Sequence, residues 1–157
     1  MAAKQKFNFG ALKIEVRAID GLILPLRTRP ILRTTAGRVM MLEKMTDQEL
    51  DVLLTTDLHI QKLHKLYLKK DSATDVMAFS QNDPKYLGDI VISVDTAMRQ
   101  AQEYGHDLLT ELQYLLIHGI LHLMGFEDNK PATRKDMRAK EQEILKKLDI
   151  VANPETD

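Results

Sequence analysis

Ile117-His118-Gly119-Ile120-Leu121-His122-Leu123-Met124-Gly125-Phe126-Glu127-Asp128 carries an architectural and a chemical reading at once. Upstream of it, Leu108, Leu112, Leu115 and Leu116 join Ile120 and Leu123 at helical spacing. Asp107 is placed to cap the start of that helix and Gly125 to end it. Because Leu115, Leu116 and Ile117 are consecutive, the helix is apolar almost all round, which predicts that it is central and buried. His118 and His122, four residues apart, project from one face with Cβ atoms about 5–6 Å apart. From there one nitrogen of each ring can meet a single ion at about 2.0–2.1 Å. Gly125 can take the positive φ that a sharp turn needs. Asp128 is then placed to return a carboxylate to the same ion. Glu127 is the rival third ligand, and the spacing favours Asp128. Three protein ligands leave a coordination position for water, as catalytic sites do. The bland alternative is a pair of core histidines. Two imidazoles on the most apolar helix would each cost desolvation without a partner, which favours the metal.

Working outward, Leu12–Ala18 alternates apolar and polar residues and reads as a strand. A helix is expected from about Pro30 to Met45, with Pro30 tolerable only near its start. Glu49–Thr56 reads as a strand, and Asp57 is placed to cap a helix reaching about Leu68. A turn over Lys69–Ser72, a short strand Asp75–Phe79 and a buried strand Leu87–Ser93 follow. Ser93 or Asp95 can cap the next helix, which Gly105 stops. Asn129 and Pro131 open a last amphipathic helix to about Leu148, burying Met137, Ile144, Leu145 and Leu148. The expectation is an α+β fold in a single domain over 1–150, a small mixed β-sheet packed against helices, with the metal site on a central buried helix. Residues 151–157 are expected to form a disordered tail.

A chain of 157 residues can bury one real core, so one domain suffices. The sequence contains no cysteine, so a metal here must be held by nitrogen and oxygen. No apolar run approaches the roughly 20 residues of a membrane span. Met1–Gly10 is polar, unlike a secretory signal, and a cytoplasmic protein is expected. The net charge of −1 hides an asymmetry: residues 1–70 hold 13 Lys+Arg against 7 Asp+Glu, and residues 71–157 hold 9 against 16. Arg27, Arg29, Arg33, Arg38, Lys62, Lys65, Lys69 and Lys70 supply most of the positive half. Such clusters are usually solvated helix faces, and they can also track a phosphate backbone.

The spacing H-x₃-H-x₅-D resembles the metzincin pattern H-E-x-x-H-x-x-G-x-x-H. The general-base glutamate of those proteases falls at Gly119 here, which has no side chain to move a proton and argues against a peptidase. His118 through Phe126 instead follow the signature H-G-x-L-H-L-x-G-[YF]-D-H of the YbeY family of metal-dependent endoribonucleases, the rRNA maturation factors. Asp71-Ser72-Ala73-Thr74-Asp75-Val76, Leu87-Gly88-Asp89-Ile90-Val91-Ile92-Ser93 and the helix start Asp95-Thr96-Ala97 agree as well. The resemblance covers about residues 50–150. It implies single-strand-selective RNA cleavage in 16S rRNA maturation and ribosome quality control, with one zinc ion held by three histidines.

Two departures from that pattern matter. Asp128 stands where the family has its third metal histidine. Leu68 stands where the family has an arginine, in the pair Tyr67-Leu68, thought to engage the RNA phosphate. The nearby Lys69 and Lys70, with Lys65 and Lys62, are the candidate RNA contacts, as point charges without arginine's fork. The expected chemistry is attack on phosphorus by a metal-activated water or by a 2′-OH it deprotonates, with no certain protein base. A metal-stabilised ribosome- or RNA-binding factor of little or no turnover is the alternative. Asp75 and Asp89 are read first as carboxylates ordering a loop and a strand, and second as contacts behind the ligands. His59 and His64, five apart, are read as surface or partner-facing residues, and His106 as a capping or exposed one.

Overall fold

Leu50, Val52 and Leu54 alternate with Asp51 and Leu53 and are essentially inaccessible to solvent. That period of two decides which face of the sheet meets the main core. In the computed structural model, which describes residues 13–68, 74–81 and 83–152, the elements run β1 (Lys13–Ala18), α1 (Thr28–Leu42), β2 (Glu49–Thr55), α2 (Asp57–Leu68), β3 (Val76–Phe79), β4 (Tyr86–Ser93), α3 (Val94–Tyr104), α4 (Leu108–Leu123) and α5 (Pro131–Leu148). The sheet order is β1-β2-β4-β3. β1, β2 and β4 are parallel, and β3 returns antiparallel beside β4 as an edge strand. This is the mixed sheet and α+β architecture expected from the sequence.

α4 is the buried helix. It packs against α1, α3, α5, β3 and β4, and Leu112, Leu116, Ile117 and Ile120 are wholly inaccessible. Two glycines let it lie so close to the sheet. A Cβ on Gly119 would sit 3.0 Å from Ile90 Cγ2. At Gly88, where φ is +152° and the pairing with β2 shifts register, a Cβ would come 2.3 Å from the Phe79 carbonyl oxygen and 2.7 Å from Leu123 Cδ2. Only glycine fits there. On the opposite face of the sheet, α2 covers a smaller cluster of Ile60, Met77 and Val91.

Boundaries differ from expectation at α1, which starts at Thr28 and ends at Leu42. Pro30 sits in its first turn, where a missing N–H costs nothing. Lys44 turns left-handed at φ 59°, so the Met45 N–H closes back on the Met40 carbonyl at 2.8 Å. No glycine marks that stop. Ile150 and Ala152 pack on the core. Leu12, the turn at Lys69–Ser72 and the tail beyond Ala152 lie, wholly or in large part, outside the described residues. No helix among the described residues is long and apolar enough to cross a membrane.

Asp57 does more than begin α2. Its Oδ1 accepts from Ser93 Oγ and Thr96 Oγ1, each at 2.6 Å, and Oδ2 meets Arg99 at 2.9 Å. Ser93 Oγ in turn caps α3 by accepting from the Thr96 N–H. Burial opposes the charge on Asp57, but the three bonds and the Arg99 charge outweigh it and hold its carboxyl below the usual range. A depressed carboxyl contributes stability that is present above its unfolded value near 3.9 and fades as pH falls through the lower folded one. Asp57→Asn is therefore expected to lower the melting temperature at pH 7 and to flatten its acid dependence below about pH 4. Parallel melting curves for parent and variant from pH 2 to 7 would contradict this.

Candidate metal centre

The turn that follows α4 brings the site together. The Gly125 N–H bonds the His122 carbonyl and the Phe126 N–H bonds the Leu121 carbonyl, both at 3.0 Å, with Gly125 at φ +102°. This paired closure swings the chain back across the helix end. Asp128 Oδ2 thereby lies 3.4 Å from His118 Nε2 and 3.6 Å from His122 Nε2, and the two Nε2 atoms are 3.0 Å apart. Donors at 2.0–2.1 Å from a tetrahedral ion stand about 3.3–3.4 Å from one another. The triangle formed by His118, His122 and Asp128 matches that spacing, and these three could hold a metal ion. Glu127 instead lines an adjoining groove.

The outer nitrogens fix the chemistry of the inner ones. His118 Nδ1 is 2.5 Å from Glu141 Oε1, and His122 Nδ1 is 3.0 Å from the Phe126 carbonyl oxygen. Both partners are acceptors, so each Nδ1 carries its hydrogen and donates it. Both Nε2 atoms then present lone pairs to each other and to Asp128. Three facing electron pairs repel unless a cation lies between them, which is the donor set of a Lewis-acid site. Glu141 is 2% exposed and also accepts from Tyr114 Oη at 2.9 Å. Burial depresses the His118 pKa, but the bond and charge of Glu141, with the charges of Asp75 and Asp128, outweigh it and leave the imidazole above its usual value.

Sequence reasoning had no place for Glu141 or Tyr114. The signal was a carboxylate in the apolar stripe of Met137, Ile144, Leu145 and Leu148, all buried. The other predicted residues are dispersed. Asp75 orders its own strand start by accepting from the Val76 N–H at 2.7 Å, and it accepts from Gln100 on α3. It reaches His118 only through its charge. Asp89 lies on the α2 side of the sheet, bonded to Tyr86 Oη at 2.6 Å and to Gln81 at 2.8 Å. Lys62 and Lys65 are exposed on α2, Lys69 and Lys70 lie outside the described residues, and Leu68 closes α2.

His64, expected at the surface or facing a partner, is buried and lines the same groove as His122. His106, expected as a capping or exposed residue, is half-buried and pairs with the buried carboxylate of Glu111. His59, by contrast, bonds Thr55 Oγ1 at 2.6 Å.

Two cavities flank the triangle. One, of about 400 Å³, is lined by His122, His64, the β3 residues Val76, Met77, Ala78 and Phe79, and Phe126. The other, of about 170 Å³, lies against His118 and Asp128 and is lined by Tyr114, Arg134, Arg138 and Glu141.

A sequence profile described as Endoribonuclease YbeY matches residues 26–149. Proteins named Endoribonuclease YbeY from Aquifex aeolicus and Roseiflexus sp. are 44% and 41% identical over 109 and 114 residues. Those matches cover 66% and 65% of this chain, and 73% and 71% of the relatives. A third, from Geobacter metallireducens, is 39% identical over 74% of this chain and 83% of the relative. Among solved structures, the solution structure of TM1509 from Thermotoga maritima shares the fold, with a TM-score of 0.60 over 92% of this chain and 97% of that one at 21% identity. The helix, turn and carboxylate therefore sit within a match that extends well beyond them on both sides, and the chain belongs to the YbeY endoribonuclease family.

Proposed function

We propose that this protein is a metal-dependent endoribonuclease of single-stranded RNA that acts in the cytoplasm on 16S rRNA during its maturation and in ribosome quality control. The observation that carries the metal dependence is the convergence of two lone-pair nitrogens and one carboxylate oxygen, oriented from behind by Glu141 and the Phe126 carbonyl. Zinc suits the nitrogen-rich, tetrahedral donor set. When bound, such an ion supplies a Lewis acid that lowers the pKa of a water and polarises a phosphate oxygen.

The rest falls to the protein's own groups. His118 and His122 orient the ion and are themselves held by their Nδ1 bonds. Phe79 and Phe126 give the larger groove an apolar wall, and Tyr67 packs edge-on against Phe79 at 5.4 Å between centroids. Unstacked bases favour such aromatic surfaces, which supports a single-stranded substrate. Lys62 and Lys65, followed in sequence by Lys69 and Lys70, are assigned to the flanking RNA backbone. The ribosome is the source of the substrate in this reading.

Two measurements test it. Metal-loaded protein should cut a single-stranded 16S rRNA fragment and spare the same sequence in a duplex; no cutting of either would leave a binding factor in its place. Asp128→Ala should hold well under one ion per chain after dialysis against a weak chelator, while the parent keeps one. Equal metal content would remove Asp128 from the ligand set.

A further inference from the structure

Resting on the nuclease reading, we infer that Arg134 and Arg138 of α5 form the site that holds an RNA phosphate beside the metal triangle. Helical spacing places Arg134, Arg138 and Glu141 on one stripe. That stripe lines the cavity of about 170 Å³ whose opposite wall is His118 and Asp128. The space admits a phosphate group and several waters, each needing about 30 Å³. Arg134 is tied to the metal loop itself, since its Nε donates to the Asp128 carbonyl oxygen at 3.2 Å.

Both carboxylates of this cavity engage the histidines. Asp128 Oδ2 faces both Nε2 atoms, and Glu141 accepts from His118 and Tyr114. Among the lining residues two guanidiniums match two carboxylates, and a divalent ion in the triangle would add positive charge beside them, which favours an anion there. A guanidinium fork matches two phosphate oxygens. Among the described residues, no other lysine or arginine lines either cavity that touches the ligands. Lys62 and Lys65 line neither. The phosphate position adjoins His118 and Asp128, so the strand would enter on the arginine side and continue into the apolar groove beyond His122.

The test compares zinc-loaded parent with Arg134→Gln/Arg138→Gln and with Lys146→Gln/Lys147→Gln, which removes equal charge from the exposed far end of the same helix. Binding of a fluorescent single-stranded 2′-O-methyl RNA is followed against salt, and zinc content is measured on each protein. The arginine pair should weaken binding at least about tenfold and lower the salt slope by about two, with zinc content kept. The lysine pair should change affinity less than about twofold. Arg138→Lys, which keeps charge and loses the fork, should fall between.

An arginine variant that keeps its zinc and binds within twofold of the parent overturns the inference. So does an equal loss from the lysine pair. A parent that holds zinc yet neither binds nor cuts RNA overturns the nuclease reading, and the inference with it. Loss confined to the arginine variant cannot arise that way.

Discussion

His122→Ala protein is expected to fold, to lose its bound ion and to stop cutting RNA. The side chain is about 30% exposed and its Nδ1 meets one backbone carbonyl, so truncation leaves no large cavity. What disappears is one of three donors on a triangle whose edges run from 3.0 to 3.6 Å. Two donors cannot hold an ion against water. A Lewis acid supplies several kcal/mol of transition-state stabilisation and each ~1.4 kcal/mol is tenfold in rate, so cleavage should fall at least about a thousandfold. Elemental analysis and single-turnover cleavage on the same preparation check both halves. Retention of one ion per chain with undiminished cutting would remove the metal proposal outright.

Glu141→Gln separates orientation from charge. The amide keeps the size of the side chain, can still accept from His118 Nδ1 and can still pair with Tyr114, so the fold should survive. It no longer places a negative charge 2.5 Å behind the imidazole. Partners of this kind raise the basicity of the ligand nitrogen, and their loss weakens metal affinity about 10–100-fold. Competition with a chromophoric chelator reads that loss directly, and thermal unfolding of the metal-free protein shows whether stability moved with it. Equal affinity in both proteins would reduce Glu141 to a packing role. Glu141→Ala should lose the affinity and also stability, because it leaves Tyr114 Oη and His118 Nδ1 without their acceptor in a buried setting.

What the sequence revealed was what is local. α4 announces itself by its apolar spacing, its Asp107 cap and its terminal glycine, and all three candidate ligands lie within its last turns and the loop after it. β2 and β4 were legible as alternating and continuous apolar runs. The order β1-β2-β4-β3 depends instead on which strands find one another across the chain, which no local period encodes. Residues whose role comes from tertiary packing were correspondingly invisible. Glu141 and Arg138 reach the site because α5 crosses α4, and His64 is buried because α2 folds over the sheet. The early end of α1 was hidden because Lys44, not a glycine, takes the left-handed turn.

The 3.0 Å separation of the two ring nitrogens is set by one turn of a helix packed against three helices and two strands. Such a frame behaves as a caliper with little play. Small ions with short bonds would fit its jaws. Ions that bond at about 2.3–2.6 Å would have to pry them apart against the core, so a metal held here would be selected by size as well as by ligand softness.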